Sequence, residues 1–478
     1  MEHVDVLIVG AGAAGVPAAL FASVTGAHVV LVDAATRAGG TFYLSSGQMS
    51  AAGTRLQAEK GIDDSPQKHF DDVMRISKGT ANPDLVRLAV DNAAETLHWL
   101  LDNGLEVLPE HPVVHYGHEP YETPRTYWAE AGGLAVWDVL RPLLEARVAA
   151  GQVDLRLETK LSSISRSRNG VRVTLEHAGR RYDITAGTVL LATGGYASNP
   201  ELFTELSGGK PLYGGANEHS LGQGLVAARN IGASIVNRNY YLPSFAAVPD
   251  SSAHGGYTFL TQTYPQFRQP WEIYVDSDGR RFMREDDPSV DRRERELLKL
   301  PGMRFWAIFD ESIREAAPSF FMEHSWDDIA PRFNKDPAFR SADSLSDLAQ
   351  KIDCDAQTLQ RSIGEFNKAV DAGAPDTFGR EHRPLALAKA PFYAIEHVGW
   401  SIVGFAGLGV NAALQVVDES GATIDGLFAA GEILGMAATS GDAFTGGMSV
   451  TPAMTFGRLL GQQLAHEYSQ HQVVGSVA

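Results

Sequence analysis

Residues 4–9 (VDVLIV) are rich in β-branched residues, broken only by Asp5 and closed at once by glycine, the pattern of a buried strand of a parallel sheet. Small, helix-compatible residues follow from Ala13 to Gly26. HVVLVD (28–33) then supplies a second buried strand, so the opening reads as a βαβ unit. Apolar residues spaced three and four apart over 83–104 and 133–150 predict amphipathic helices flanking that sheet. Polar and apolar positions alternate over 153–187, predicting a small antiparallel meander, and VLLATGG (189–195) predicts a further buried strand. Near 242–280 aromatic and proline residues crowd together and the βαβ rhythm stops. Residues 244–393 carry charged helical patterns instead, such as SLSDLAQKI and TLQRSIGEFNKAV. The glycine-rich, apolar style returns after PFYAIEHV and continues through 426–435 to 456–465. The expected organisation is therefore one domain made of 1–243 and 394–478, interrupted by an inserted cap at 244–393.

Composition narrows the class. A chain of 478 residues with 44% hydrophobic and 21% charged positions has the make-up of a folded protein of two or three domain lengths. Its 40 basic against 58 acidic residues leave a net charge of −18, which repels nucleic-acid phosphates and anionic lipid, so neither is an expected partner. Cys354 is the single cysteine, which excludes an internal disulfide, a CxxC metal site and a haem-attachment motif. Every apolar stretch is broken by glycine or charge before the length of a membrane span, and no Lys or Arg precedes Arg37. A cytoplasmic protein with no membrane span is expected.

Gly10-Ala11-Gly12-Ala13-Ala14-Gly15 fits GxGxxG and sits between a predicted strand and a predicted helix. The first glycine allows the tight turn, the second lets a pyrophosphate approach the backbone, and the third lets helix and strand pack. Asp33 ends the second strand, where a carboxylate can accept hydrogen bonds from a ribose, so the pair predicts a dinucleotide site. Arg37-Ala38-Gly39-Gly40-Thr41, the ATGG at Ala192–Gly195, and GLFAAGE at 426–432 followed by Gly446-Gly447-Met448-Ser449 point from dinucleotides in general to flavins.

In order along the chain, GAGAAG, GGTFYLSSGQMSAAG, VLLATGG, GRRFMRE, GLFAAGE and GGMSVTPAMTFGRLLG resemble the flavoprotein family of fumarate reductases, succinate dehydrogenases and 3-ketosteroid Δ1-dehydrogenases nearly end to end. The resemblance implies an α/β fold, a Rossmann-like FAD-binding domain of the glutathione-reductase type with an inserted α+β capping domain. It implies that Gly10, Gly12, Ala13, Ala14 and Gly15 hold the FAD pyrophosphate and that Asp33, with Ala34, holds the adenosine ribose. Gly39, Gly40, Thr41, Ala192, Thr193 and Gly194 belong to the same implied cofactor site; Ser46, Gly47 and Gln48 line the flavin. Glu432 contacts the ribityl chain, and Gly447, Ser449 and Val450 open a helix aimed at the flavin N1–C2=O edge. No histidine lies near TFYLSSGQ, where succinate dehydrogenases tether their flavin, so the FAD is expected to be non-covalent.

The departures from that family bear on substrate. Phe444 stands where fumarate reductases place a carboxylate-clamping arginine, no histidine lies near Val403 or Pro243-Ser244, and the position of the cap proton donor is Ser289. Ser289 or Arg292 is the expected proton-transfer group, with helix N-capping and a solvated arginine as the competing reading. In Tyr121–Trp128, Arg125 could hold a carboxylate, Tyr121 or Tyr127 could polarise a ketone, and Trp128 and Phe444 could line the substrate; an aromatic loop packed inside the fold is the competing reading. His111, His115 and His118 fit a polar loop better than a zinc site, so no metal is expected, and Cys354 is expected to be exposed and incidental. The expected activity is α,β-desaturation of a carbonyl compound, of cyclic-ketone or ketosteroid type, by proton abstraction and hydride transfer to flavin N5 at the junction of domain and cap. A separate electron acceptor or donor is implied. The alternatives are a fumarate-reductase-type enoate or enone reductase whose substrate is not a dicarboxylate, and a non-catalytic flavoprotein subunit.

Overall fold

The computed structural model describes residues 2–167, 170–250 and 255–475, with side chains to Tyr468. The chain divides into two units: Met1–Gly209 with Ala216–Tyr241 and Ile402–Ala478, and Lys210–Gly215 with Leu242–Ser401.

The first unit is built on a sheet whose strands run in the order Val153–Arg156, Val29–Val32, Glu2–Val9, Arg180–Leu191, Thr423–Ala429 and Gln415–Val417. The first five are parallel and the last is antiparallel to its neighbour. Val29–Val32 is buried throughout, as a strand covered on both faces must be. Two readings of the sequence are corrected here. Val153–Arg156 is a parallel edge strand rather than the start of the meander. The meander's last strand and the buried VLLATGG strand are one twelve-residue strand, Arg180–Leu191. Its first half pairs with the hairpin strand Gly170–His177, and its length also carries the parallel register from Ile184 opposite Glu2 to Leu191 opposite Val9.

Helices Gly15–Ala22, Pro83–Asp102, Gly133–Ala149 and Val450–Gly475 belong to this unit. Asn82 caps the second, its side chain accepting from the Asp84 and Leu85 amides ahead of Pro83. Gly457 and Gly461 let the C-terminal helix lie against the first helix: a Cβ on either would stand 2.1 Å from the Ala14 carbonyl oxygen or 2.5 Å from that of Ala18.

The second unit carries an antiparallel sheet in the order Tyr257–Leu260, Ser244–Pro249, Phe392–Trp400, Arg304–Asp310 and Ile273–Val275, with Phe339–Ala342 also paired to the central strand. Helices Val290–Leu298, Leu345–Lys351 and Ala356–Ala372 complete it. The GRRFMRE segment forms part of a buried charge network. Arg281 pairs with Glu285 and with Asp376, both at 2.6 Å, and Arg380 reaches Glu285 at 3.3 Å. Cys354 is half-buried rather than exposed, and burial pushes its thiol up to about 11.

Removing one partner from such a network leaves an uncompensated charge away from water. Glu285→Gln is expected to cost about 3 kcal/mol of stability, read as a lower urea midpoint at unchanged slope; an unchanged midpoint would show that the network does not hold this unit.

Candidate functional site

A cleft opens in the first unit, with Val9 and Val32 at the carboxyl ends of two central strands on its wall. Backbone sterics shape it. Gly10 has φ +109°, and a Cβ there would lie 2.2 Å from the Ala192 carbonyl oxygen; a Cβ on Gly15 would lie 1.8 Å from that of Gly10. Only glycine allows these crossings. At Gly12 an added Cβ would meet nothing within 4 Å, so the backbone there is open to a ligand. Ala13 and Ala14 precede the first helical bond, from the Val16 amide to the Gly12 carbonyl at 3.1 Å, and helix amides in that position serve phosphate.

Gly10, Gly12, Ala13, Ala14, Asp33, Ala34, Gly40, Thr41, Ala192, Thr193, Gly194, Glu432, Ser449 and Val450 all line this cleft. Asp33 is oriented by the backbone, one oxygen accepting from the Ala11 amide at 2.7 Å and the other from the Ala35 amide at 2.8 Å. Thr193 Oγ1 and Glu432 Oε1 are shielded atoms without a protein partner, as expected where a cofactor supplies the partner. Burial raises the Glu432 carboxyl to about 7, with the Gly404 and Gly195 amides opposing the shift.

The other implied cofactor residues lie outside the cleft lining and act on packing. Gly15 makes the crossing just described; Gly39 packs on Tyr43 and Trp137, Gly47 on the Gly132-Gly133 backbone, and Gly447 on Met49 and Ser50. Ser46 sits in the same turn as Gly47, whose amide donates to Ser45 Oγ at 2.9 Å, and the Gln48 amide nitrogen lies 3.0 Å from His115 Nε2. The cleft also includes residues that no motif marks, among them Thr159, Leu161, Asn217, His219, Ser220 and Gln223. They come from the hairpin, from the segment before helix Gln223–Arg229 and from its first residue, and only the fold gathers them.

A second constellation in this unit is aromatic. Phe444 stacks on His118, with centroids 5.0 Å apart and planes at 18°, and meets Phe405 edge-on at 5.4 Å. Glu119 pairs with Thr445 in parallel, which fixes the two segments side by side. His115 neighbours both His118 and Trp128, and Trp128 also packs on His111 at 3.9 Å. Burial lowers His118 to about 4, so its imidazole is neutral near pH 7, and its Nδ1 has no partner.

Several residues singled out for catalysis or substrate are committed elsewhere. Arg125 is 0% exposed, its Nε and Nη2 donating to the two carboxylate oxygens of Asp64 at 2.9 Å and its Nη1 to Asp72 at 2.7 Å; it is a structural cation, not a carboxylate clamp. Tyr127 is buried with its hydroxyl 2.6 Å from Thr54 Oγ1. Tyr121 is buried and donates to the Gly446 carbonyl at 2.6 Å, and burial raises both phenols above their ordinary value. Neither tyrosine presents a free hydroxyl to a ketone. Ser289 is the N-cap of helix Val290–Leu298, accepting from the Arg292 amide, and Arg292 is 64% exposed on the helix surface and paired with Asp287 at 2.6 Å. For these two residues the capping and solvated readings describe the structure.

A glycine crossing at the strand ends, an acid held by two amides and unpaired groups facing the cleft together define a dinucleotide-dependent flavoprotein. The chain belongs to the FAD binding domain family, whose model matches residues 5–447. It is a FAD-dependent oxidoreductase, and the residues just described fit that cofactor, which when bound supplies hydride chemistry the side chains lack. It is 28% identical over 467 residues to a probable fumarate reductase, Ifc3, of Shewanella frigidimarina (strain NCIMB 400), covering 97% of this chain and 75% of that protein. It is 26% identical over 474 residues to a urocanate reductase of Eggerthella lenta, covering 97% and 74%. Its fold is like that of a 3-ketosteroid Δ1-dehydrogenase from Sterolibacterium denitrificans, with TM-score 0.77 at 20% identity over 98% of this chain and 100% of that one. Among the described residues no helix is long and apolar enough to cross a membrane.

Two outcomes follow for this unit. A carboxyl raised by folding contributes stability below its ordinary pKa and loses it as pH rises toward the folded value. The apoprotein is therefore expected to lose stability relative to Glu432→Gln between about pH 4.5 and 7, by roughly 3 kcal/mol, in paired urea melts; parallel pH profiles for the two proteins would contradict it. Arg125→Leu strands Asp64 and Asp72 and is expected to cost about 3–5 kcal/mol, measured the same way.

Proposed function

We propose that the protein interconverts a carbon–carbon single bond and a double bond conjugated to a carbonyl group, in a substrate that is not a dicarboxylate, and that it runs as a reductase fed by a separate electron carrier. The observation that carries this reading is the corner at Phe444, where a phenyl ring and a neutral imidazole stand at the position that the fumarate reductase resemblance reserves for a cation. A ring pair of this kind favours a flat apolar body over a second carboxylate. Membership of the FAD family supports the redox chemistry, and the two curated relatives named above support the reductive direction, both being named as reductases.

The chain's own groups have defined tasks in such a reaction. The amides at Ala13 and Ala14 hold the pyrophosphate, Asp33 the ribose, and Ser449 and Val450 open a helix whose first amides favour negative charge. Neutral His118, with one ring nitrogen unpartnered, can donate a hydrogen bond to a carbonyl oxygen and so polarise the conjugated bond. The proton delivered to the α carbon comes from a side chain or a held water. Desaturation of a cyclic ketone, the direction expected from the sequence, uses the same groups in reverse.

An anaerobic flavin titration tests both directions. The dithionite-reduced holoenzyme is expected to regain its yellow colour with cyclohexenone or cinnamate and to stay bleached with fumarate. Bleaching of the oxidised form by cyclohexanone would reverse the assigned direction, and recovery of colour with fumarate alone would overturn the substrate class. Phe444→Arg is expected to slow reoxidation by cyclohexenone by about tenfold or more, since it sets a cation against the stacked imidazole.

A further inference from the structure

Among the described residues six arginines are buried: Arg125, Arg268, Arg281, Arg293, Arg380 and Arg458. Five are compensated by carboxylates: Arg125 by Asp64 and Asp72, Arg268 by Glu272, Arg281 and Arg380 by Glu285, and Arg458 by Glu95. Arg293 is the exception. It is 1% exposed, forms no ion pair with any described carboxylate, and spends Nη2 on the Thr263 carbonyl; Nε and Nη1 have no partner at all. Its flanks are aromatic, with the guanidinium carbon 4.7 Å from the Phe245 ring centroid and 5.5 Å from that of Tyr264. The Phe245 ring is itself stacked on Phe305 and packed against Tyr274.

The helix phase explains why this arginine and not its neighbour is inside. In Val290–Leu298 the buried face includes Val290, Arg293, Glu294 and Leu297, the three- and four-residue spacing of one helical stripe, whereas Arg292 falls on the exposed side. The sequence places a cation on the apolar stripe of a helix. A buried guanidinium is stable only when its donors are met, and a protein that meets five of its six in this way has left the sixth for something outside the chain. Cation–π contact with two rings offsets part of the desolvation but satisfies no N–H group. Three free N–H bonds, one on Nε and two on Nη1, suit an oxyanion, and the surrounding rings suit a planar apolar body attached to it.

We infer that Arg293 is the oxyanion-binding group of a ligand subsite in the second unit, and that its ligand is a planar monocarboxylate. The binding does not rest on the proposed function.

The test is calorimetric binding of benzoate, which no flavin reaction consumes, to the oxidised holoenzyme, with methyl benzoate as the uncharged control. The wild type is expected to prefer benzoate to its ester. Arg293→Met is expected to cut that preference by about tenfold or more, and Arg293→Lys, which keeps a charge but not the planar fork, to retain part of it. A variant that is only destabilised weakens both ligands together, so the ratio isolates the charge contact. An unchanged ratio in Arg293→Met, an equal loss of both ligands, or a wild type that does not bind benzoate overturns the assignment. Since no turnover is measured, a positive binding result beside a failed flavin titration would discard the proposed reaction and leave the subsite standing.

Discussion

The first unit depends on backbone running against backbone where Glu2–Val9 ends. Gly10 lies against the Ala192 carbonyl, Gly15 against the Gly10 carbonyl, and Gly457 against the Ala14 carbonyl, each closer than any side chain allows. These contacts join two parallel strands, the first helix and the last helix at one point. The cofactor cleft is the space left on the open side of that point, at Gly12. A methyl group on any of the three crossing glycines would move an element that forms the cleft wall, so packing and cofactor binding are one constraint here rather than two.

Around this apolar framework both units hold their long loops with buried charge. Arg125 ties Asp64 and Asp72 to a loop more than fifty residues away along the chain, and Arg281 with Arg380 does the same for Glu285 and Asp376. Such pairs add little net stability over well-packed apolar side chains, but they are costly to break. Segments such as Tyr121–Trp128, which lack a regular hydrophobic repeat, are thereby held in one arrangement. The tyrosines in that segment are fixed by the same logic, each hydroxyl used by an internal acceptor or hydroxyl.

What could be read in the sequence was what is local. The run Val4–Val9, the glycines from Gly10 to Gly15, and Asp33 at the end of Val29–Val32 carry their structural meaning within about thirty residues. The family resemblance then extended the reading to GLFAAGE and to the GGMS turn. What failed was anything decided by distant partners. Nothing next to Arg125 announces Asp64 and Asp72, and nothing before Gln223 announces that Asn217 and Ser220 reach the cleft. In helix Val290–Leu298 the spacing Val290, Arg293, Leu297 gives the buried stripe without any tertiary information.

Unpaired buried polar atoms are informative here in proportion to their charge. His397 leaves Nε2 without a partner, but its Nδ1 is bonded to the Ile395 carbonyl and burial lowers the ring to about 4, so a neutral group gives up one weak hydrogen bond. Glu432 escapes the larger cost of a buried anion by the same route, its carboxyl being raised to about 7 so that it can hold a proton. An arginine has no such exit, since its guanidinium keeps its proton at any pH the fold survives. Burial can therefore neutralise His118 and Glu432 and leave them waiting for a ligand at little expense, whereas Arg293 stays charged with Nε and Nη1 unmet. The protein's polar groups that face a ligand thus divide by whether they can discard their charge, and the one that cannot is the one whose partner must carry the opposite sign.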